Sequence, residues 1–323
     1  MNLLRRRASL LLPVPSDRLA GVLRLCAAEP VASVCLAHQL ERWPRWGRGD
    51  VVALGSVARP TAAAWTTASA MPYGLAGRPD LGMRQADPDA VRALAEHCVA
   101  RLTRRGSLAG PVQDIALLWE PLQDLGLRVR QERWNQPVLC APWEPGGEGL
   151  AAEERRRRPE LAWISQSLRA ATADEEELIL PALVAMFTEE LGYDPTTAGP
   201  SYARHVQWLL AAGRCYAVFD DGDGGPVQPG SPRAVAFKAD VGALWHPGGS
   251  GVAQLTGVWT RPDLRGRGVA TTALAAVVDA VRRDHVGPHG EVSLYVNDFN
   301  TAGMALYRRL GFTRQGTYAT ILL

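Results

Sequence analysis

The sequence predicts a mixed α/β chain divided into two domains. In each half, short alternating or β-branched apolar runs are interleaved with segments whose apolar residues recur at helical spacing. The 323 residues also exceed the usual span of one compact domain. Between "LCAPWEPGGEGL" and "AAEERRRRPE" the chain turns rich in proline and glycine and then in charge, as connectors do. The expected division is an N-terminal α/β domain over 1–150, a solvated linker over 151–173 and a second domain over 174–323.

In the first half, "DVVALGS" and "AAAWTTA" predict short strands. A helix follows over "DPDAVRALAEHCVARLTRRG", with Asp87 as N-cap, Pro88 at the first helical position and Gly106 as the stop. Val91, Leu94, Ala95, Cys98, Val99 and Leu102 form its apolar stripe. After "SLAG" come a helix "VQDIALLWEPLQDLG", expected to kink at Pro121, and a strand "LRVRQERWNQPVLC". No phosphate-binding loop occurs in this half.

In the second half, "DEEELILPALVAMFTEELG" and "GPSYARHVQWLLAAG" predict two helices closed by Gly192 and Gly213. Strands "RCYAVF", "RAVAFKADVGALWH" and "VAQLTGVWT" follow, the last two joined by "PGGSG" as an antiparallel hairpin. Then come a helix from about Val269 to Arg283, strand "EVSLYV", a helix from Asn300 to Leu310 and strand "TYATILL", giving the order ααβββαβαβ.

Composition excludes several classes. A 47% hydrophobic content without an apolar run long enough to cross a bilayer predicts a soluble protein with no membrane partner. The net charge is +2, and Lys238 is the only lysine, so no mixed basic face for nucleic acid is expected. "MNLLRRRASLLLPVP" begins as a secretory signal does, but only Ala8 to Leu12 precede Pro13, which predicts an ordinary N-terminal segment. The five cysteines are scattered and odd in number, as expected of reduced thiols in a cytoplasmic protein without a metal site. His285 and His289 are separated by Pro288 from forming a helical pair and are expected to be solvated.

The chemistry lies in "RPDLRGRGVA", residues 261 to 270, between a strand and a helix. Gly266 and Gly268 let the loop turn tightly and present successive backbone N–H groups, which with the positive end of the next helix make an anion site. Arg265 and Arg267 would add charge-assisted hydrogen bonds of roughly 1.5 to 3 kcal/mol each where water is excluded. A Walker loop would need Gly-Lys-Ser/Thr, but Gly268 precedes Val269 and Ala270. A dinucleotide loop would need glycine at 271, where threonine stands, and its acidic partner about 20 residues on, whereas the first candidate is Asp298.

Arg265, Gly268 and Ala270 fit the pattern Q/R-x-x-G-x-G/A, and the stretch resembles the acetyl-CoA motif of the GNAT superfamily of N-acetyltransferases. "LYVNDFNTAGMALYRRLGF" resembles the family's second signature, with Asn300, Leu306, Tyr307, Gly311 and Phe312 in register and Gly303 in place of the common alanine. The resemblance covers about residues 174 to 323 and implies the mixed central sheet of the GNAT acyltransferase fold. "VAMFTEELG", "FKAD" and "SLYVND" are similar to a subfamily with an uncharacterised N-terminal domain, here compatible with a degenerate copy of the same fold.

The resemblance implies acetyl-CoA as co-substrate. Its diphosphate would sit on the amides of Arg265, Gly266, Arg267, Gly268, Val269 and Ala270, and its pantetheine arm beside Val258, Trp259 and Thr260, with Asn297 as a further contact. The N–H of Val258 would stabilise the oxyanion, a contribution of about 3 kcal/mol in other enzymes. Tyr307 would act as general acid toward the CoA thiolate, with Asn300 on the same helix face and a positive field or a favourable hydrogen bond assisting a phenol near pKa 10. The partner would be a primary amine on a small molecule or protein, deprotonated by a base for which Glu189, Glu190 and Asp240 are candidates. A non-catalytic acyl-CoA sensor or interaction module is the alternative, and a nucleotide-binding protein a third reading. The residues carry no motif for the acceptor or for an oligomeric state.

Overall fold

The computed structural model describes residues 10–143 and 146–323; residues 1–9 of the N-terminal segment, and Glu144 and Pro145, lie outside the described residues. The first half runs β1 (Leu12–Pro13), α1 (Ala20–Cys26), α2 (Pro30–Arg42), β2 (Val51–Leu54), β3 (Ala62–Trp65), β4 (Met71–Tyr73), α3 (Pro88–Val99), β5 (Ser107–Pro111), α4 (Val112–Asp124) and β6 (Gln131–Cys140). Two helices, α5 (Leu150–Arg157) and α6 (Ala162–Ser167), join it to the second half. That half runs β7 (Arg169–Ala170), α7 (Glu176–Leu191), α8 (Ser201–Ala211), β8 (Cys215–Asp220), β9 (Ala234–Trp245), β10 (Val252–Thr260), α9 (Val269–Val281), β11 (Glu291–Tyr295), α10 (Thr301–Arg309) and β12 (Thr313–Leu322).

Both halves therefore have the element order βααβββαβαβ. The repeat was only partly visible in the sequence, because α1, α2 and the two-residue strands β1 and β7 carry weak periodic signals. Asp87 accepts from the N–H of Asp89 at 2.8 Å and Gly192 closes α7 at φ +79°, as predicted, but α3 ends at Val99, well before the expected stop at Gly106, because the chain turns off to bridge Ala68 at Leu102. Helix α4 runs through Pro121.

Strands β1-β2-β3-β4 form one sheet, and β5-β12-β6-β11-β10-β9-β8-β7 form the other. In the second, only β10 and β11 run parallel. A parallel bridge from Ala70 to Leu108 links the two sheets at the corresponding place of the first half. The last strand of each half is exchanged: β6 pairs with β11 (Leu294 opposite Leu139), and β12 pairs with β5 (Ala319 opposite Gly110). The cores are exchanged with the strands, since Ala319 and Ile321 of β12 pack among Leu94, Leu108 and Leu118 of the first half. Helix α2 packs against the second half, in one cluster with Ala243, Trp245 and Val252.

The expected solvated linker is instead packed structure over much of its length. Asp279 near the end of α9 accepts the N–H groups of Leu150 and Ala151 at 3.1 and 2.8 Å, capping α5 against α9. Ile164 of α6 is fully buried in the α9 core. His285 is half-buried with a ring nitrogen 3.3 Å from the carbonyl of Gly213, whereas His289 is exposed as expected.

Glu175 secures the outer end of the large sheet. It is 4% exposed, receives Arg169 at 2.8 and 2.6 Å and the N–H of Thr172 at 3.0 Å, and pairs with Arg233. The hydrogen bonds from Arg169, aided by Thr172 and Arg233, hold its carboxyl down to about 2 from the usual 4.5. A carboxyl depressed in the folded state contributes stability that is present above pH 4.5 and lost as the pH falls toward 2. Urea unfolding of Glu175→Gln is expected to show lower stability at pH 7 and a flatter loss across that acid window. An acid limb equal to that of the wild type would contradict this role.

Candidate active site

The loop after β10 is fixed at its start. Arg261 donates two hydrogen bonds, at 2.8 and 2.7 Å, to the fully buried carboxylate of Asp220, and Leu264 is 2% exposed beneath a single turn over Pro262–Leu264. Gly266 and Gly268 then take φ of +74° and +86°, a region that costs other residues about 1 to 2 kcal/mol. None of the amide N–H groups from Gly266 to Thr271 donates to an acceptor among the described residues; the first paired one is that of Thr272, on the carbonyl of Gly268. These amides, at the start of a 13-residue helix with no acidic residue in its first turn, form a concentrated site for negative charge.

The matching helix in the first half is closed to anions. At the start of α3, Asp87 caps the N–H of Asp89, its carbonyl takes the N–H groups of Ala90 and Val91, and Pro88 has no N–H. Two carboxylates thus stand where the second half presents free amides.

Beside the loop, the sheet splays. β10 pairs with β11 only from Val252 to Leu255, so Thr256 to Thr260 have no partner on that side. On the other side a bulge between Thr256 and Trp259 takes Gly257, at φ +58°, and Val258 out of the ladder with β9. This open edge is where the sequence put Val258, Trp259 and Thr260 against the pantetheine arm. Beneath the bulge, Lys238 and Asp240 form an ion pair, 0% and 2% exposed. A Cβ on Gly257 would lie 2.7 Å from Asp240 Oδ2 and 2.9 Å from Lys238 Nζ, so glycine lets the pair sit under the strand. Asp240 Oδ1 is buried without a partner among the described residues.

The other candidate bases are paired as well. Glu189 accepts from Arg265 at 2.7 Å, a half-exposed pair, and Arg265 also bonds the carbonyl of Thr260 at 3.0 Å. Arg265 is thus held across the cleft mouth, and Arg267 is exposed with Nη1 near Gly224. Glu190 accepts from Arg133 at 2.8 Å, and Arg133 belongs to β6 of the first half. Gln136, also on β6, donates to Asn297 Oδ1 at 2.9 Å and accepts from Thr320 at 2.7 Å. Asn297 is 7% exposed, its carboxamide engaged by Gln136 and, at 3.4 Å, by Glu190. Sequence reasoning missed Arg133 and Gln136, whose proximity to the cleft depends on the strand exchange.

Asn300 and Tyr307 stand in different surroundings. Asn300 stands before α10 at φ −79°, ψ 72°, exposed, and caps the helix by accepting from the N–H of Gly303 at 2.8 Å. An added Cβ at Gly303 would lie 3.0 Å from the Asn300 carboxamide, which accounts for the glycine there. Tyr307 is 6% exposed in one core cluster with Leu264 and Val269, against which Val258 and Ala270 pack. Burial, and after it the Glu190 carboxylate, push its phenol above the ordinary value. The shift is opposite to the assisting positive field that the sequence reading expected.

A separate cleft of about 1070 Å³ lies toward the other end of α9, where Trp143, Asp279, Arg282, His289, Arg309 and Gly311 contribute to its wall; it includes none of the predicted site residues. No helix among the described residues is long and apolar enough to cross a membrane, and no cluster of metal-ligating side chains occurs among them.

Comparison with known proteins agrees with this geometry. Residues 194–312 match the model of the Acetyltransferase (GNAT) family, and residues 50–171 match a domain of unknown function (DUF4081). A search of curated proteins finds no match. Among solved structures, the chain is similar to a GNAT-family acetyltransferase from Colwellia psychrerythraea, with 10% identity, a TM-score of 0.51, and coverage of 97% of this chain and 99% of that one. It is similar to a GCN5-related N-acetyltransferase from Sphaerobacter thermophilus (14%, TM-score 0.52, 96% and 94%). It is also similar to a tandem GNAT protein from the clavulanic acid biosynthesis pathway (16%, TM-score 0.52, 96% and 98%). At these identities the likeness establishes the fold across nearly the whole chain.

The two loop glycines should respond differently to alanine. A Cβ at Gly266 meets nothing within 4 Å, whereas one at Gly268 would lie 1.7 Å from Arg158 Nη1 and 3.0 Å from Leu161 Cδ1. Gly266→Ala is expected to lose only the backbone term of about 1 to 2 kcal/mol in denaturant unfolding, and Gly268→Ala clearly more. Equal losses would show that the segment around Arg158 does not rest on Gly268.

Proposed function

We propose, from the premise that the C-terminal region carries a GNAT acetyltransferase domain, that this protein moves the acetyl group of acetyl-CoA to a primary amine. The observation carrying this reading is the run of free amides from Gly266 to Thr271 beside the splayed strand β10. A diphosphate fits such a cradle, and the bound thioester supplies an activated acetyl group. Gly266, Arg267, Gly268, Val269 and Ala270 bind the diphosphate through their main chain, the expected N–H of Arg265 being taken instead by the carbonyl of Pro262 at 3.3 Å, and Val258, Trp259 and Thr260 align the pantetheine arm. Arg265 and Arg267 add positive potential.

The acceptor amine, near pKa 10.4 when free, must lose a proton before its nitrogen attacks the thioester carbon and the carbon–sulfur bond breaks. All three candidate carboxylates are paired, Glu189 with Arg265, Glu190 with Arg133 and Asp240 with Lys238, and Asp240 is favoured as base for its place under the bulge beside Val258, where its Oδ1 has no partner among the described residues. The N–H of Val258 is the oxyanion donor. Tyr307 returns a proton to the thiolate, a transfer that its raised pKa makes uphill until substrate binding alters its surroundings. Asn300 acts as a positioning residue through the start of α10, and Asn297 holds the end of β11.

We further infer a division into 1–150, a connector over 151–173 and 174–323, with the first part a degenerate copy of the second that has lost its anion site, and a cytoplasmic location. Its repeated element order supports the copy, and the aspartates at α3 support the loss. The competing reading of a non-catalytic acyl-CoA sensor shares the binding site and differs only in turnover.

Isothermal calorimetry is expected to show acetyl-CoA binding by the wild type and none by the double variant Arg265→Glu, Gly268→Glu; equal binding by both would remove the loop from the site. In a thiol-release assay over a panel of amines, Tyr307→Phe is expected to lower turnover about a hundredfold at unchanged acetyl-CoA affinity, and Asp240→Asn to lower it similarly. Turnover at wild-type levels would return either residue to a structural role, and absence of turnover in the wild type across the panel would favour the sensor.

A further inference from the structure

The arginine run Arg155 to Arg158 was expected to be a solvated feature of the connector, and three of its members fit that expectation. Arg155 bonds Ser165 at 3.4 Å, Arg156 pairs with Glu148, and Arg157 pairs with Glu153 and Glu154 at 3.3 and 3.2 Å. Arg158 differs. Its guanidinium has no hydrogen-bond or ion-pair partner among the described residues, and Nη1 lies 1.7 Å from where a Cβ on Gly268 would be. It therefore touches the loop at the centre of the free amides.

This placement is built into the packing. α5 is pinned at its first residues to Asp279 near the C-terminal end of α9 and runs back along that helix, so that its end arrives at the N-terminus of α9. Eight residues of helix advance about 12 Å, most of the roughly 16 Å that a helical rise spans between Gly268 and Asp279. The chain then turns at Arg158, φ −142°, ψ 71°, and Pro159 directs it away, while Leu161 packs at Gly268 and Ile164 enters the core. A cation carried to free amide donors and left unpaired leaves the two kinds of donor side by side, an arrangement that an anion between them would satisfy.

We propose that Arg158, supplied by the segment joining the two halves, binds the diphosphate of the acyl-CoA together with the amides of Gly266 to Thr271. The inference rests on the acyl-CoA reading given above. It adds to that site a residue outside the loop motif, and it gives Gly268 a second reason to be glycine: a side chain there would displace the guanidinium.

The test is calorimetric titration of the full-length protein with CoA and with dephospho-CoA, for the wild type, Arg158→Ala, Arg158→Gln and Arg156→Ala, each checked by circular dichroism and thermal unfolding. Arg158→Ala is expected to weaken both ligands equally, about tenfold or more, while Arg156→Ala binds as the wild type does. Should Arg158→Ala fail to fold, Arg158→Gln, which keeps the length of the side chain without the charge, is expected to show the same equal loss. Unchanged affinity would overturn the proposal. Tighter binding would also overturn it, by making Arg158 a guard over the loop, as would a loss confined to CoA, by moving the contact to the 3′-phosphate. If the wild type binds neither ligand, the acyl-CoA reading itself falls; if it binds both and the Arg158 variants match it, only the present inference does.

Discussion

The constraint on which the molecule depends is the exchange of terminal strands. β6 lies between β11 and β12, and β12 lies between β5 and β6, so the large sheet is continuous only when both halves contribute. Each exchanged strand carries its apolar face into the other half, as Ala319 and Ile321 do beside Leu94 and Leu118. Withdrawing either would leave unpaired main-chain edges and a partly empty core. The same exchange delivers Arg133 and Gln136 to Glu190 and Asn297, so the first half shapes the cleft of the second although its own anion site is closed.

The two halves show how little chemistry separates a binding site from a plain helix start. Both present a helix after a three-stranded turn of sheet, and both helices begin with donors that the helix cannot satisfy internally. In α3 the aspartate side chain, the proline and a carbonyl dispose of those donors. In α9 two glycines at positive φ leave them exposed, and the positive potential of the helix end adds to them. Burial is arranged to match. α9 is enclosed by sheet and connector along nearly its whole length, which fixes the amides without drawing on them.

Buried charge in the second half is confined to pairs with a positional task. Arg261 and Asp220 anchor the loop, Lys238 and Asp240 support the bulge, and Glu175 with Arg169 and Arg233 ties the sheet edge to the start of α7. Such pairs add little net stability, since desolvation offsets most of their attraction, but removing one partner leaves a charge unpaired in the interior. Their value here is geometric: each fixes a strand end or a loop where the open edge of β10 meets the amides.

The sequence by itself determined the elements of the second half except β7, the tight loop at Gly266 and Gly268, and the caps at Asp87, Gly192 and Asn300. These are local matters, set by backbone freedom, periodicity and donors within a few residues. It did not reveal α1 and α2, whose patterns are short or weakly amphipathic. The exchange of strands between the halves was equally hidden, because a strand's partners are chosen by edges far away in the chain. Asn300 and Tyr307, seven residues apart, suggested one face, yet the cap geometry at Asn300 turned it to solvent while packing drew Tyr307 inward. Arg158 looked like one charge among four in a solvated run, and only the path of α5 along α9 separated it from its neighbours. What tertiary structure decided was which groups remain unpaired and which groups meet, since both depend on contacts that no local pattern encodes.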